Sequence, residues 1–172
     1  MKTVPIKHVT ITNEEAEVLY KMLKELDGDY EAVVIPAWNE CHNNSKEHDF
    51  LRGVDDDHRF NLTLQRKGLE EDDRNFTICF LDTESNTPLG RLDLGKRLSP
   101  HFNRDGSKIV GSHFHYYSEG LNDAMSYERF LELTGKKFVK DTSLSDIVAI
   151  LLEFLCYINV DRKGIPVTEE LL

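Results

Sequence analysis

Cysteine is scarce in this chain. Cys41, Cys79 and Cys156 are widely spaced and form no C-x-x-C pair. That excludes a disulfide framework and predicts buried, reduced thiols. Cys41 and His42, with His48 six positions on, fit no zinc-binding spacing. Long apolar runs are absent too. The longest, residues 147–158, is interrupted by Glu153, and a membrane-spanning helix needs about 20 apolar residues. The start, MKTVPIKHVT, has no signal-type hydrophobic region, so no membrane association and a cytoplasmic location are expected. There is no internal repeat, low-complexity tract or linker, and 172 residues suit one domain over residues 1–172. Basic charge is also in short supply: 21 Lys and Arg face 31 Asp and Glu, for a formal charge of −10. Such an exterior opposes broad, salt-dependent binding to nucleic acid.

The charge is unevenly spread. Residues 13–73 carry 17 acids and 7 bases, whereas residues 88–120 carry 5 bases and 3 acids. The second segment is a basic island able to take one phosphate or carboxylate. It contains HFNRDGSKIVGSHFHYYSEG over residues 101–120, with three of the seven histidines. His113, His115 and Tyr117 alternate with Phe114 and Tyr116, so on a strand they share one face.

The remaining pattern predicts an α+β domain: an antiparallel sheet of about four to five strands against an N-terminal and a C-terminal helix. Thr12 and Glu15 form a capping box. Ala16, Leu19, Leu23 and Leu26 then keep helical spacing until Asp27-Gly28-Asp29. A short strand is expected at 32–35 and a polar loop at 38–47. Strands follow at 59–66, with Phe60, Leu62 and Leu64 inward, and at 75–82, with Phe76, Ile78 and Phe80 inward. A turn at 82–88 leads to a strand at 89–94. The connection at 95–109 holds an Asp105-Gly106 turn signal, and the histidine strand covers 110–118. A short helix at 125–133 precedes a final apolar helix capped by Thr142 and Ser143.

Arg91 and Asp93 occupy one face of their strand. If that strand pairs with the histidine strand in even register, Asp93 meets His113 or His115. A carboxylate there orients an imidazole and raises its pKa. Arg91 adds an anion-binding fork, and the connecting loop brings His101 and Asp105 over the sheet. These are the parts of a metal-independent phosphodiesterase, a toxin-like ribonuclease with no cofactor. His113 or His115 is then the base, His101 the acid, and Arg91 with Tyr117 stabilise the transition state. Asn103, Asp105 and Glu119 are expected to touch the ligand, a phosphate-bearing molecule or RNA.

His113-x-His115-x-x-x-Glu119 also resembles the first metal-binding motif of the cupin family. It departs from that motif in lacking the following glycine at its spacing, and no second motif follows. Taken together, Arg91–Leu94 (RLDL), His101–Gly106 (H-x-N-x-D-G) and Gly111–Gly120 (G-x-H-x-H-x-Y-x-E-G) resemble a signature of a group of small uncharacterised proteins of bacteria and their phages. That resemblance implies a shared polar site and a mobile-element setting. The alternative function is a non-enzymatic acidic inhibitor that mimics nucleic acid. Asp55, Asp56, Asp57, Glu70, Glu71, Asp72 and Asp73 would then face a basic protein partner. Three adjacent aspartates lack the alternating spacing of a calcium loop.

Overall fold

The computed structural model describes residues 10–28, 31–35, 44–68, 74–119, 123–135, 144–161 and 166–169. Cys41, His42, Glu70–Asp73, Thr142 and Ser143 lie outside the described residues.

Thr12 opens α1 (Asn13–Lys21) through the expected capping box. Its hydroxyl accepts from the Glu15 amide, and its own amide donates to the Glu15 carboxylate at 2.7 Å. The helix stops at Lys21, well before Asp27. Leu23 and Leu26 keep helical spacing, but Lys24–Leu26 is instead a strand, β1, paired with residues 51–53. Tertiary pairing overrides a weak local propensity here. After β2 (Val33–Ile35) comes β3 (Asn44–Gly53), where a loop was expected to run to residue 47. Its first residues are polar on both faces and show no apolar alternation. Only the continuous register with β4 (Arg59–Lys67) makes it a strand.

The chain continues through β5 (Asn75–Asp82), β6 (Thr87–Gly95), the short β7 (His101–Phe102) and β8 (Lys108–Ile109), β9 (His113–Tyr116) and β10 (Ala124–Ser126). Helices α2 (Tyr127–Thr134) and α3 (Leu144–Tyr157) and the strand β11 (Val167–Glu169) complete it. The fold is α+β. Its main sheet has seven strands in the order β1-β3-β4-β5-β6-β9-β10, every neighbouring pair antiparallel. It is wider than the four to five strands expected, because β1, β3 and β10 carry little pattern of their own. Strand β11 pairs parallel with β2, and β7 with β8 forms a hairpin. Among the described residues no helix is long and apolar enough to cross a membrane.

One face of the sheet is the core. Leu51, Phe60, Leu62, Leu64, Phe76, Ile78, Phe80, Leu92 and Phe114 are fully buried there, with Ala16 and Leu19 of α1, Phe130 of α2, and Leu151, Phe154 and Leu155 of α3. Phe114 and Phe130 approach to 4.4 Å between ring centres, and Phe60 stacks on Phe80 at 5.1 Å. Gly90 is required at this packing, because a Cβ there would meet the Tyr20 hydroxyl at 2.7 Å and the Phe114 ring at 3.1 Å. The thiols are less buried than expected: Cys79 is half-buried and Cys156 exposed, and neither is in a disulfide.

Lys24 is fully buried within this core. Its ammonium donates to the carbonyls of Tyr20 (3.1 Å), Met22 (2.7 Å) and Ile158 (2.7 Å), and lies over the rings of Phe60 and Phe80. The side chain thereby ties the end of α1 to the end of α3, using carbonyls that helix ends leave unpaired. Burial lowers its pKa to about 7. The unfolded chain, with a lysine pKa of about 10.4, therefore binds more protons between those two values, and stability rises with pH across that window. Urea unfolding between pH 6 and 10 is expected to show this rise in the native protein. Lys24→Met is expected to remove it and to lose about 2–4 kcal/mol at pH 7, from carbonyls left without a donor. A variant as stable as the native chain with the same pH profile would show that the cage contributes nothing.

Candidate functional site

On β6, burial of Leu92 and Leu94 turns Arg91 and Asp93 to the opposite face. On β9, burial of Phe114 does the same for His113 and His115. The strands pair antiparallel with Leu92 opposite Phe114, Arg91 opposite His115 and Asp93 opposite His113. The even register anticipated from the sequence is present, and it gathers two imidazoles, a carboxylate and a guanidinium on one patch.

Asp93 is the centre of that patch. The Thr77 hydroxyl of β5 donates to its Oδ1 at 2.7 Å, and Arg91 Nε sits 3.0 Å from Oδ1 and 2.9 Å from Oδ2. His115 Nε2 lies 3.3 Å and His113 Nε2 3.7 Å from Oδ2. Burial opposes ionisation of Asp93, but the His115 contact, the Arg91 charge and the Thr77 hydroxyl outweigh it and hold its carboxyl below the usual range. The candidate ligand atoms of Asp93, His113 and His115 all lie within 4.8 Å of one another.

Gly111 adopts φ +80°, a left-handed conformation that glycine takes without strain. Its carbonyl accepts from His113 Nδ1 at 2.7 Å. A carbonyl can only accept, so Nδ1 carries the proton. Burial pushes the His113 pKa down despite that bond, which favours the neutral ring. A neutral ring with Nδ1–H turns a bare Nε2 lone pair toward a carboxylate oxygen. Two electron-rich atoms facing each other call for a proton or a cation between them.

His101 arrives from β7. The β7–β8 hairpin is closed by the Asn103 amide donating to the Ser107 carbonyl at 2.9 Å and by Gly106 at φ +84°. It is fastened to β10 by the Asn103 side chain, which donates to the Ala124 carbonyl and accepts from the Ala124 amide, both at 2.8 Å. The His101 ring centre then lies 4.6 Å from that of His115 and 5.8 Å from that of His113, and the latter two are 4.8 Å apart. Among the described residues, His101 Nε2 and His115 Nδ1 are buried with no hydrogen-bond partner. The three rings and Asp93 line a cavity of about 470 Å³ whose walls also include Gln65, Lys67, Thr77, Arg91 and Arg97.

The other expected site residues stand elsewhere. The Tyr117 hydroxyl donates to the Ile11 carbonyl, and the Glu119 backbone amide donates to the Asn13 side chain at the start of α1. Neither lines the cavity, so the carboxylate beside the histidine pair is Asp93 and not Glu119. Asn103 and Asp105 are held in the hairpin, Asp105 accepting from the Ser107 amide at 2.8 Å. Asp55, Asp56 and Asp57 are exposed at the β3–β4 turn, at the opposite end of β4 from Lys67. Thr77, Gln65, Lys67 and Arg97 were not singled out from the sequence. Outward alternation of the β4 and β5 strands was the available signal for the first three.

A second histidine–carboxylate group closes the β5–β6 turn. His58 Nε2 lies 2.7 Å from Asp82, whose other oxygen accepts the Ser85 hydroxyl and amide. The serine donates to the aspartate and not to the imidazole, so no base activates it. This group fastens a turn.

Fold and site together define a class: an α+β protein with a histidine–aspartate centre on the solvent face of an antiparallel sheet, rimmed by basic side chains. Residues 11–160 match the family described as "Family of unknown function (DUF6978)". The chain belongs to that family, and the match spans every residue of the centre. Among curated proteins and among solved structures, nothing matches the chain.

The hydrogen bond to Gly111 makes one direct expectation. Long-range proton–nitrogen NMR spectra at pH 7 should show His113 as a neutral ring protonated at Nδ1. A His113 signal protonated at Nε2 alone would contradict the geometry.

Proposed function

We propose that the protein is a metal-dependent hydrolase of phosphate esters, with one divalent ion held by Asp93, His113 and His115. The observation that carries this reading is the spacing of the donor atoms. Ligands about 2.0–2.1 Å from a tetrahedral ion sit about 3.3 Å from one another. The contacts from Asp93 Oδ2 to His115 and His113 are 3.3 and 3.7 Å. Imidazoles sharing one ion have ring centres about 5 Å apart on the same geometry, and those of His113 and His115 stand 4.8 Å apart.

Imidazole and carboxylate donors suit Zn²⁺, with Mn²⁺ or Fe²⁺ as competitors. An ion bound there supplies Lewis acidity and lowers the pKa of a coordinated water to about 7. Arg91, fixed through Nε by Asp93, presents the rest of its guanidinium to the phosphate. His101 stands beside the triad, ring against ring with both histidines, and holds a proton for the departing oxygen as the phosphorus–oxygen bond breaks. Thr77 and the Gly111 carbonyl orient ligands from behind, and such partners are commonly worth 10–100-fold in metal affinity, on the order of 1.4–2.7 kcal/mol.

The test uses protein stripped by chelator and titrated with Zn²⁺, Mn²⁺ or Co²⁺. One equivalent is expected to bind and to raise the unfolding temperature. Asp93→Ala and His115→Ala should lose more affinity than Thr77→Val, for which a loss of about 10–100-fold is expected. Hydrolysis of bis(p-nitrophenyl) phosphate should stop in chelator and return with metal. Hydrolysis that persists in chelator would favour imidazole acid–base catalysis without metal. Absence of stoichiometric binding and of hydrolysis would end the enzymatic reading, and the exposed Asp55–Asp57 turn would then be the surface to pursue for a protein partner.

A further inference from the structure

The cavity is one end of a longer surface. The alternation that buries Leu51, Leu62, Ile78 and Leu92 directs their neighbours to the opposite face of the sheet. Across the strands, His48, Thr63, Cys79, Arg91 and His115 fall in one register row, and Gln65, Thr77, Asp93 and His113 in the next. A third row contains Lys67 and Asn75. At about 4.8 Å per strand these rows run roughly 19 Å from β9 to β3. The described helices pack on the other face, against the buried rings.

The charge on this face is opposite to that of the chain. The formal charge is −10, yet among the described side chains Asp93 is the sole carboxylate in the three rows. Lys67 and Arg91 belong to the rows, and Arg97 stands on the cavity wall. Arg52 and Arg59, further along the same strands, are matched by Glu25 at 2.7 Å and Asp27 at 3.9 Å. Lys67, Arg91 and Arg97 lie together where the rows enter the cavity, with Arg91 paired to Asp93 at 2.9 Å. Between these bases lie neutral hydrogen-bonding side chains: Asn61, Thr63 and Gln65. The exposed His48 ring is held by Thr63 at 3.1 Å and Asn61 at 3.3 Å. A basic groove interleaved with neutral polar groups and ring faces is the chemistry that follows a nucleic-acid strand.

Building on the hydrolase reading, we propose that the substrate is a single-stranded nucleic acid, lying across β3–β6 with its scissile phosphate in the Asp93 cavity. A small phosphate ester would occupy the cavity alone and have no use for the rows.

Anisotropy of fluorescein-labelled 12-nucleotide RNA and DNA, single-stranded and duplex, measures this directly, with metal-stripped and Zn²⁺-loaded protein. Single strands are expected to bind better than duplex. With about three phosphate contacts and a slope of roughly −0.7 each, the affinity should fall about tenfold or more between 50 and 200 mM salt. Lys67→Gln should flatten that slope by about one contact. Thr63→Glu, which places a carboxylate in the middle row, should weaken binding at least about tenfold. Thr63→Glu, which lies outside the cavity wall, should keep the native far-ultraviolet spectrum, metal stoichiometry and hydrolysis of bis(p-nitrophenyl) phosphate. Lack of single-strand binding at 50 mM salt would overturn the proposal. So would binding indifferent to both substitutions, or a loss of small-ester hydrolysis in Thr63→Glu equal to its loss of strand binding. Variant-sensitive strand binding without metal uptake or hydrolysis would support the track while removing the hydrolase reading.

Discussion

The register between β6 and β9 is the constraint on which the centre depends. Leu92 and Phe114 face each other in the core, and that one apolar pairing obliges Arg91 to meet His115 and Asp93 to meet His113 on the other side of the sheet. A slip of one residue would carry the imidazoles into the core and the phenylalanine into solvent. The core thus specifies the position of polar groups that it does not touch.

Within the centre, Asp93 is nearly buried yet ionised, a state that desolvation alone would forbid. Arg91, Thr77 and the two imidazoles offset that penalty, but His113 does so incompletely. Its proton is committed to the Gly111 carbonyl, so its second nitrogen turns a lone pair toward the carboxylate. The Thr77 hydroxyl, the Gly111 turn and the Asn103 tether to β10 hold these groups in place.

The same alternation sorts charge. Acidic residues dominate the segment over 13–73, but on the solvent face of β3–β6 the pattern of every second residue selects lysine, arginine, threonine, asparagine and glutamine. Net charge therefore describes the molecule as a whole and not this face of the sheet. Lys24 is the counterpart on the inner face, an amine held by carbonyls and aromatic rings whose burial lowers its pKa to about 7.

Composition and period alone determined a good deal: the α+β class, the capping box at Thr12, the inward faces of β4 and β5, the histidine strand, and the pairing of Arg91 and Asp93 on one face. These are local properties, set by side-chain alternation and helix-end chemistry within a few residues. Tertiary structure decided the rest. It ended α1 at Lys21 because β1 finds a partner in β3, and it made a strand of polar residues from Asn44 because β4 offers them a ladder. It sent Tyr117 and Glu119 to α1, held Asn103 and Asp105 in a hairpin, and brought Thr77, Lys67 and Arg97 to the cavity. Each of these depends on contacts between residues far apart in the chain, and no short stretch of sequence encodes the energy of such a contact.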